Sequence, residues 1–507
     1  MSDMAKTSSS LLLACFDSLP QLGGQPEIHA HLTKLQKKQR DISCINSTMK
    51  LKLNHYRRSS MPNGYILKSA LLALSFLLSP AAFSAPTEST ESMENHITSK
   101  IGSSSEEWNK TVATLTNEPL WNSRDAYDAS HTLMVPMHFA FAAGDIKGVE
   151  QFEHLMSKFA QQELPGGQLN QAQWLYFVTR YLALRAEFNY NFSKSDLYLV
   201  QRAAAWLHNR WMFEPAYQWG QLPLTGTKSR INLISSTSKS WPLSYYPAVT
   251  DYELFLFSAA SDIKFVTKKL PESIKLQPKE INTSIEELAA AGIAVVRERG
   301  TFTSDGGWLF QVGTWTDHPD FRFAGHTKIE ENLSEKRLKN IAEDSSHSHR
   351  WPLFFRSMIA ASNNKPQDKD LLLKSYYGFS KQFANNVVVI RDKSVLLNNY
   401  MNGNNGLYRY KYATIGKNDK LGYGPNALSG ILGESWYPFS SGVTDIYETY
   451  ERSYPLAKST IDLYVGPNTT RDRNPLFVWP QFFTDGFSEL IAKQGAYLAK
   501  HYSLDEK

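Results

Sequence analysis

Helical periodicity extends through most of this chain and limits the folds that it can adopt. Apolar residues recur at the spacing of a helix face, as at Trp174, Phe177 and Tyr181, which is typical of helices that bury one side. Ser195 precedes an acidic first turn, which is a helix start signal. The pattern predicts helices over residues 127–143, 146–163, 171–189, 195–212, 251–269, 284–299, 333–343, 352–362, 369–385, 443–456 and 480–502.

Helices of this length, joined by irregular loops, predict an all-α fold in a single domain over residues 107–507. Antiparallel helix pairs wound into an (α/α) toroid would bury each apolar stripe and leave a groove at one end. A helical bundle or a right-handed solenoid would also satisfy the pattern. A small β excursion is predicted around residues 386–424, where VVVI and SVLL flank Arg391-Asp392-Lys393.

The N-terminal part has the pattern of an export signal. Lys68 precedes the apolar run SALLALSFLLS, and the small residues Ala82 and Ser84 follow it, as in a secretory signal. The run is shorter than the roughly 20 residues that span a bilayer. We expect residues 1–48 to be an over-extended start, 49–84 a cleaved signal peptide and 85–106 a flexible lead-in. This predicts a periplasmic or secreted bacterial protein with no membrane span after cleavage.

Cysteine content and charge exclude several classes of protein. Both cysteines, Cys15 and Cys44, precede the expected signal, so the mature chain would have no disulfide and no thiolate site. Residues 1–84 hold ten of the 54 Lys and Arg residues and four of the 49 Asp and Glu residues, which leaves 44 basic against 45 acidic residues. The positive excess belongs to the segment expected to be removed, and nucleic acid is therefore not an expected partner.

Residues 305–351 carry the densest group of polar, titratable and aromatic side chains, with four of the 13 histidines and three of the 12 tryptophans. Within them, Asp317-His318-Pro319-Asp320 places two carboxylates around an imidazole, and Pro319 favours extended backbone at His318. We predict that Asp317 and His318 take part in catalysis, with a surface turn as the alternative. The substrate contacts predicted from this segment are Asp305, Trp308, Gln311, Trp315, Asp320, Arg322, His326, Asp344 and Trp351.

A second run in the same segment, EDSSHSHRWP, covers residues 343–352. Pro352 is typical of a first helical turn, so the loop before it would present N–H groups and Arg350 to a substrate anion. His347 and His349 titrate near neutral pH, and either could transfer a proton. We expect this run and the Asp317–Asp320 run to meet across one hollow wide enough for sugar rings. A solvated loop is the alternative.

Two turns outside the segment combine polar and aromatic side chains. Asn399 and Tyr400 belong to an amide-rich turn, and Trp436 and Tyr437 to the turn GESWYP. Asn399 and Trp436 are predicted to contact substrate, and Tyr400 and Tyr437 to transfer a proton; a flexible turn is the alternative for the Asn run. No cofactor is predicted, because no HExxH helix is present, although a structural Ca²⁺ or a catalytic metal on the Asp and His groups remains the alternative.

The segment DGGWLFQ, together with the helical body and the export signal, resembles the helical toroid of alginate and glycosaminoglycan lyases. In that type an Asp-Gly-(Ser/Gly)…Gln loop precedes the groove-forming helices, and Asp305, Gly306, Gly307 and Gln311 match it. The resemblance implies an Asn or His that neutralises a substrate carboxyl and a His/Tyr pair that performs elimination. His347 and His349 are then the imidazole candidates, and Tyr400 or Tyr437 the phenol.

Three functions follow as hypotheses. The first is a monomeric exported lyase that cleaves an acidic, uronate-containing polysaccharide by β-elimination. The second is a glycoside hydrolase that uses paired carboxyls in the same groove, drawn from Asp317, Asp320, Glu343 and Asp344. The third is a polysaccharide-binding or export-assembly protein without catalysis.

Overall fold

Helices form most of the chain in the computed structural model, which describes residues 97–117, 123–216, 223–236, 240–362, 365–411, 422–467 and 474–504. In chain order they are α1 (Glu106–Lys110), α2 (Val112–Asn117), α3 (Ser123–Thr132), α4 (Met134–Ala142), α5 (Ile146–Phe159), α6 (Gln168–Glu187), α7 (Lys194–Met212), α8 (Thr227–Ile234), α9 (Asp251–Lys269), α10 (Lys279–Arg299), α11 (Ser345–Ser348), α12 (Trp351–Ala361), α13 (Pro366–Gln382), α14 (Thr444–Arg452), α15 (Lys458–Val465) and α16 (Phe487–His501).

Helix α9 is buried between other helices over most of its length. It packs against α6, α7, α10 and α12, and its buried residues run almost continuously from Tyr252 to Val266. Its start is fixed by Glu253, whose carboxylate accepts a hydrogen bond from the backbone N–H of Thr250 at 2.6 Å, which satisfies one of the free N–H groups of the first turn. Lys268 and Lys269 lie in its last turn, where cations are favourable. The first turn of α9 is therefore held rigidly.

Trp436 joins four helices in the main core. Its indole ring lies 5.2 Å from the ring of His131 on α3, 5.8 Å from Tyr176 on α6, 6.4 Å from Phe255 on α9 and 6.2 Å from Phe354 on α12. It is fully buried, and its Nε1–H donates to the carbonyl of His131 at 3.1 Å. Trp436, predicted as a substrate contact, is therefore enclosed by core side chains.

Most of the predicted helices are present, but several bounds differ: α16 begins at Phe487 rather than at residue 480, and α10 begins at Lys279 rather than at residue 284. Helix α9 has the predicted bounds, 251–269, whereas the predicted helix 127–143 is divided into α3 and α4 at Leu133. The predicted helix 333–343 is wrong. That segment is irregular because its backbone bonds to another loop: Lys336 N donates to Arg322 O, and Gly325 N donates to Lys336 O, both at 2.9 Å.

Within the described residues, two antiparallel hairpins interrupt the helices. Strands β1 (Gly300–Phe302) and β2 (Trp308–Phe310) pair across the turn that contains Asp305, and β3 (Val388–Arg391) pairs with β4 (Ser394–Leu397). Asp392 and Lys393 form the second turn with positive φ angles of 46° and 70°, as a two-residue hairpin turn requires. The β excursion is thus confirmed for 388–397. Described residues farther along, 398–411 and 422–424, form irregular loop with two isolated bridges, Asp344 to Tyr400 and Tyr408 to Tyr423.

The N-terminal predictions fall largely outside the described residues: the over-extended start, the signal peptide and lead-in residues 85–96. Residues 97–106 of the expected flexible lead-in are ordered. Residues 97–101 are helical, and the hydroxyl of Ser103 donates to Asp145 at 2.5 Å. The described residues belong to one unit, Ser84–Lys507. No helix among them is both long enough and apolar enough to cross a membrane.

Replacing Gly406 with alanine is expected to lower the free energy of unfolding by about 1–3 kcal/mol or more, the cost of overpacking. A Cβ at this position would lie 1.7 Å from the carbonyl oxygen of Ala324, and a backbone atom cannot easily move away. Urea unfolding followed by circular dichroism measures the change. Gly424→Ala is the matched control, because its Cβ would lie 3.7 Å from the nearest atom. Equal stability of the two variants would contradict the prediction.

Candidate functional site

A cavity of about 390 Å³ lies at the start of α9. Trp315, His318 and Asp320 form one wall, and Glu343, Asp344 and His347 form another. Its remaining lining residues are Leu169, Val249, Thr250, Asp251, Tyr252, Pro319, Phe321, Tyr408 and Arg409. The two runs of sequence that were expected to share a hollow therefore meet here, and α9 contributes its first turn between them.

Asp344 and His347 form a pair built on one helical turn. Asp344 is the N-cap of α11, and its carboxylate accepts from the backbone N–H groups of Ser346 and His347 at 3.0 and 3.1 Å. It also binds Nδ1 of His347 at 2.8 Å. Burial opposes the effect, but the imidazole and these hydrogen bonds hold the pKa of Asp344 well below its usual range. The Asp344 carboxylate is therefore ionised.

His347 is the partly exposed member of that pair, with 37% of its side chain accessible. Burial lowers its pKa, but the adjacent Asp344 carboxylate more than offsets this, so the net shift is upward. Since Nδ1 is engaged with Asp344, Nε2 is the ring nitrogen left to meet a ligand. The arrangement favours a cationic imidazole that can donate a hydrogen bond into the cavity.

Glu343 is a carboxylic acid rather than a carboxylate at neutral pH. Burial raises its pKa to about 8, and the negative charges of Asp251 and Asp344 act in the same direction. Its Oε2 accepts from Nε1 of Trp351 at 3.1 Å and from the hydroxyl of Ser348 at 3.2 Å. A protonated carboxyl beside ionised ones is the arrangement by which proteins separate an acid from a base.

Asp251 lines the same cavity as Glu343 from the first turn of α9 and is held by Arg350. An Arg350 nitrogen binds the Asp251 carboxylate at 2.8 Å, and another donates to the hydroxyl of Tyr127 at 2.9 Å. The Arg350 side chain is 5% exposed, against 23% for Asp251. Arg350, predicted to bind a substrate anion, is thus engaged in an ion pair beneath the cavity, and Asp251 is the group that reaches it.

The opposite wall combines an ion pair with aromatic faces. Arg409 binds Asp320 at 3.0 Å, and Trp315 stacks on Phe321 with ring centroids 5.5 Å apart. His318 packs edge-on against Trp315 at 5.6 Å. Burial lowers the pKa of His318 despite the opposing charge of Asp320, so this imidazole is neutral. The wall offers apolar ring surface with one cation and one anion at its rim.

His349, the other predicted catalytic imidazole, is buried away from the cavity. Its Nδ1 accepts a hydrogen bond from the backbone N–H of Trp436 at 3.1 Å, and its Nε2 lies 2.9 Å from Nε2 of His131. Because Nδ1 accepts, the proton of the neutral ring lies on Nε2 and is donated to His131. Burial holds the pKa of His349 well below its usual value. Both ring nitrogens are therefore used inside the core.

Four other predicted site residues hold loops through their polar groups. The hydroxyl of Tyr400 donates to Leu407 O at 2.6 Å, and that of Tyr437 donates to Ser345 O at 2.8 Å. Asn399 donates to the carbonyls of Gly406 and Gly424, both at 2.8 Å, and Gln311 bonds both backbone groups of Val249. These buried groups fix loops that border the cavity, and none of the four lines it.

The remaining predicted residues lie in the core or on the surface. Trp308 and Trp351 pack against each other at 4.9 Å and are buried. On the surface, Asp305 occupies the exposed β1–β2 turn, Asp317 binds Arg337 at 2.7 Å, Arg322 binds Glu335 at 3.3 Å and His326 contacts Ser334 O at 2.8 Å. Of the predicted site residues, the cavity brings together Trp315, His318, Asp320, Asp344 and His347.

Sequence reasoning did not place Asp251, Tyr252 or Arg409 at the site, and it named Glu343 only among alternative carboxyls. Asp251 resembles an ordinary acidic residue in a helical first turn, a position that stabilises helices anyway. Arg409 lies within the alternating sequence YRYKY, a pattern that favours a strand, but its backbone has a positive φ of 52°. Neither position carries a local signal of a cavity.

Among the residues that the structure describes, no group of three His, Cys, Asp or Glu side chains is placed to hold a metal ion. No family model, curated protein or solved structure matches the chain. The site therefore has to be interpreted from its own geometry: a cavity with aromatic side chains that brings together a neutral carboxyl, ion-paired carboxylates and two imidazoles.

Stability is expected to depend on pH through Glu343. The pKa of Glu343 in the folded protein, about 8, lies above the ordinary 4.5. Protonation of Glu343 therefore contributes fully to the free energy of unfolding below pH 4.5, and this contribution is lost as pH rises through 8. Relative to Glu343→Gln, the wild type should lose about 1.4 kcal/mol of unfolding free energy per pH unit in that window. Urea unfolding of both proteins across the window measures this, and parallel curves would contradict it.

Proposed function

We propose that the protein is an exported glycoside hydrolase that cleaves an acidic polysaccharide in this cavity, with its helices arranged as an (α/α) toroid. The observation that carries the proposal is the protonated carboxyl of Glu343 in the same cavity as Asp251, which is ion-paired with Arg350. Most glycosidases need such a pair, an acid for the leaving oxygen and a carboxylate on the other side of the sugar carbon.

Each lining group has a role in this proposal. Glu343 gives its proton to the glycosidic oxygen, and Asp251, positioned by Arg350, serves as base or nucleophile. His347 donates a hydrogen bond from a cationic ring, which suits a carboxylate on an acidic sugar. Trp315 supplies an aromatic ring in the cavity lining on which a sugar could pack.

Hydrolysis is favoured over elimination by the groups that reach the cavity. Elimination needs a base strong enough to remove a carbon-bound proton. The candidates for that step, His349, Tyr400 and Tyr437, are hydrogen-bonded within the core. His347 favours the cationic form, in which it cannot accept a proton.

β-Elimination on a uronate polymer is the second candidate, and one observation supports it. Neutral Glu343 and cationic His347 lie on the same wall, and together they could donate hydrogen bonds to the carboxylate of a uronate. That neutralisation is the step that makes the neighbouring proton acidic. The base would then have to be Asp251 or Asp320.

The test is to incubate the mature protein with a panel of neutral and uronate-containing polysaccharides and to follow two products. New reducing ends without the ultraviolet absorbance of a conjugated double bond support hydrolysis. Reducing ends with that absorbance overturn hydrolysis in favour of elimination. Binding without either product assigns the cavity to recognition alone, as in a binding or export-assembly protein.

A further inference from the structure

A second and larger concave surface, the cationic groove, lies along α10. It has a volume of about 870 Å³. Six cationic side chains line it against two acidic ones, Glu286 and Asp368. The cations are Lys264, Lys268, Lys275, Lys279, Arg297 and Lys365. A groove with this imbalance attracts and concentrates anions.

One face of α10 forms the length of the groove. Asn282, Glu286, Ala289, Ile293 and Arg297 all line it, and their spacing of three or four residues places them in one row. From Lys279 to Arg297 this row is about 27 Å long at the rise of an α-helix. Ile274, Leu276 and Ala289 are buried and form the floor of the groove, whereas Lys275 and Lys279 are exposed. The shape fits an extended chain better than a single small ion.

Part of the positive charge is already balanced within the protein. Lys264 pairs with Glu286, and Arg297 pairs with Asp368, both at 2.5 Å. Lys275, Lys279 and Lys365 are exposed, and no ion pair joins them to any carboxylate of the described residues. Lys279 also occupies the first position of α10, where the helix dipole adds positive potential. The groove therefore has a net attraction for an anionic ligand.

We propose that the cationic groove binds an extended polyanionic glycan, a polysaccharide that carries carboxylate or sulfate groups along its length. The lining residues include no aromatic ring, whereas proteins that hold single-stranded nucleic acid stack bases on such rings. Its apolar residues form the floor rather than a projecting surface, so they cannot insert into a membrane. A flexible anionic chain matches both the positive charge and the length of the groove.

This groove is separate from the acid–base cavity. Asp251 and Tyr252 at the start of α9 line the cavity, whereas Lys264 and Thr267 near its end line the groove. About 20 Å of helix separates them. The proposal concerns binding at the groove and does not require that the cavity cleaves anything.

The test measures binding of polygalacturonate to the mature protein carrying Glu343→Gln, so that the polymer stays intact. We expect Lys275→Glu, Lys279→Glu and Lys365→Glu together to weaken binding at least about tenfold, since several exposed charge contacts are lost and reversed. The control combines Lys147→Glu, Lys194→Glu and Lys328→Glu, exposed lysines outside the groove that give the same net charge. It should bind within about twofold of the parent.

Equal weakening by both triple variants would overturn the proposal, because overall charge would then explain binding. Stronger binding of single-stranded DNA or of anionic lipid vesicles than of polygalacturonate would overturn it too. A triple Lys→Gln variant at the same groove positions repeats the test if the charge-reversed protein does not fold. Since binding is measured without turnover, a failure here is distinguishable from a failure of the hydrolase proposal.

Discussion

Replacing Glu343 with glutamine is expected to lower the rate of glycan cleavage by about 10²- to 10⁴-fold, the usual contribution of a general acid. The amide matches the neutral acid in size, and its oxygen can accept the bonds from Trp351 and Ser348. The amide N–H groups of glutamine are not acidic enough to protonate a leaving oxygen. Initial rates of reducing-end formation measure the loss, and circular dichroism confirms that the fold is kept.

Glu335→Gln is the matched control, since this carboxylate pairs with Arg337 at 2.6 Å on the surface outside the cavity. It should leave the cleavage rate within about twofold of the wild type. A Glu343→Gln protein as active as this control would remove Glu343 from the mechanism. The carboxylate pair would then have to be sought at Asp251 and Asp320.

The two histidines of the HSH sequence should respond oppositely to alanine substitution. His349→Ala removes a fully buried ring and leaves the Trp436 N–H and His131 without their partner, which is expected to cost about 2–5 kcal/mol of unfolding free energy. His347→Ala removes a partly exposed ring, so its stability cost should stay near about 1 kcal/mol. Its rate should fall by about 10²-fold with the loss of a charged donor.

Urea unfolding and cleavage rates are to be measured on the same preparations of the two variants. His347→Gln provides a further comparison, because the amide keeps a donor without the positive charge, and an intermediate rate is expected. If His349→Ala instead kept full stability and lost only activity, the buried histidine pair would have to open during turnover. That result would contradict the separation of roles.

The helical periodicity predicted α9 and most other long helices because it depends on neighbours along the chain. The choice between His347 and His349 depended on distant residues. His347 is determined locally, since Asp344 three residues earlier caps a short helix and binds its ring. The ring of His349 is enclosed by His131, which is 218 residues away in sequence. A single sequence contains no signal for that contact.

The cavity itself was partly predictable, because several of its side chains are close together in the sequence. Two runs rich in His, Asp and Trp indicated that chemistry-bearing side chains collect in residues 305–351, and the structure brings five of the predicted residues to one cavity. The identity of the acid was not predictable, because the pKa of Glu343 depends on burial and on Asp251, which is 92 residues earlier in the sequence. The predicted amides and phenols, Gln311, Asn399, Tyr400 and Tyr437, use their polar groups for hydrogen bonds to the backbone.

Helix α9 has a consequence for how polymer length would affect affinity. The helix is packed in the core from Tyr252 to Val266, so it fixes the separation between its two ends, and the proposed binding surfaces at those ends cannot approach each other. A sugar chain shorter than this span could engage only one of them. If both proposals hold, a longer chain could occupy both surfaces at once and gain avidity through a high effective concentration, so affinity should rise once the polymer exceeds this span.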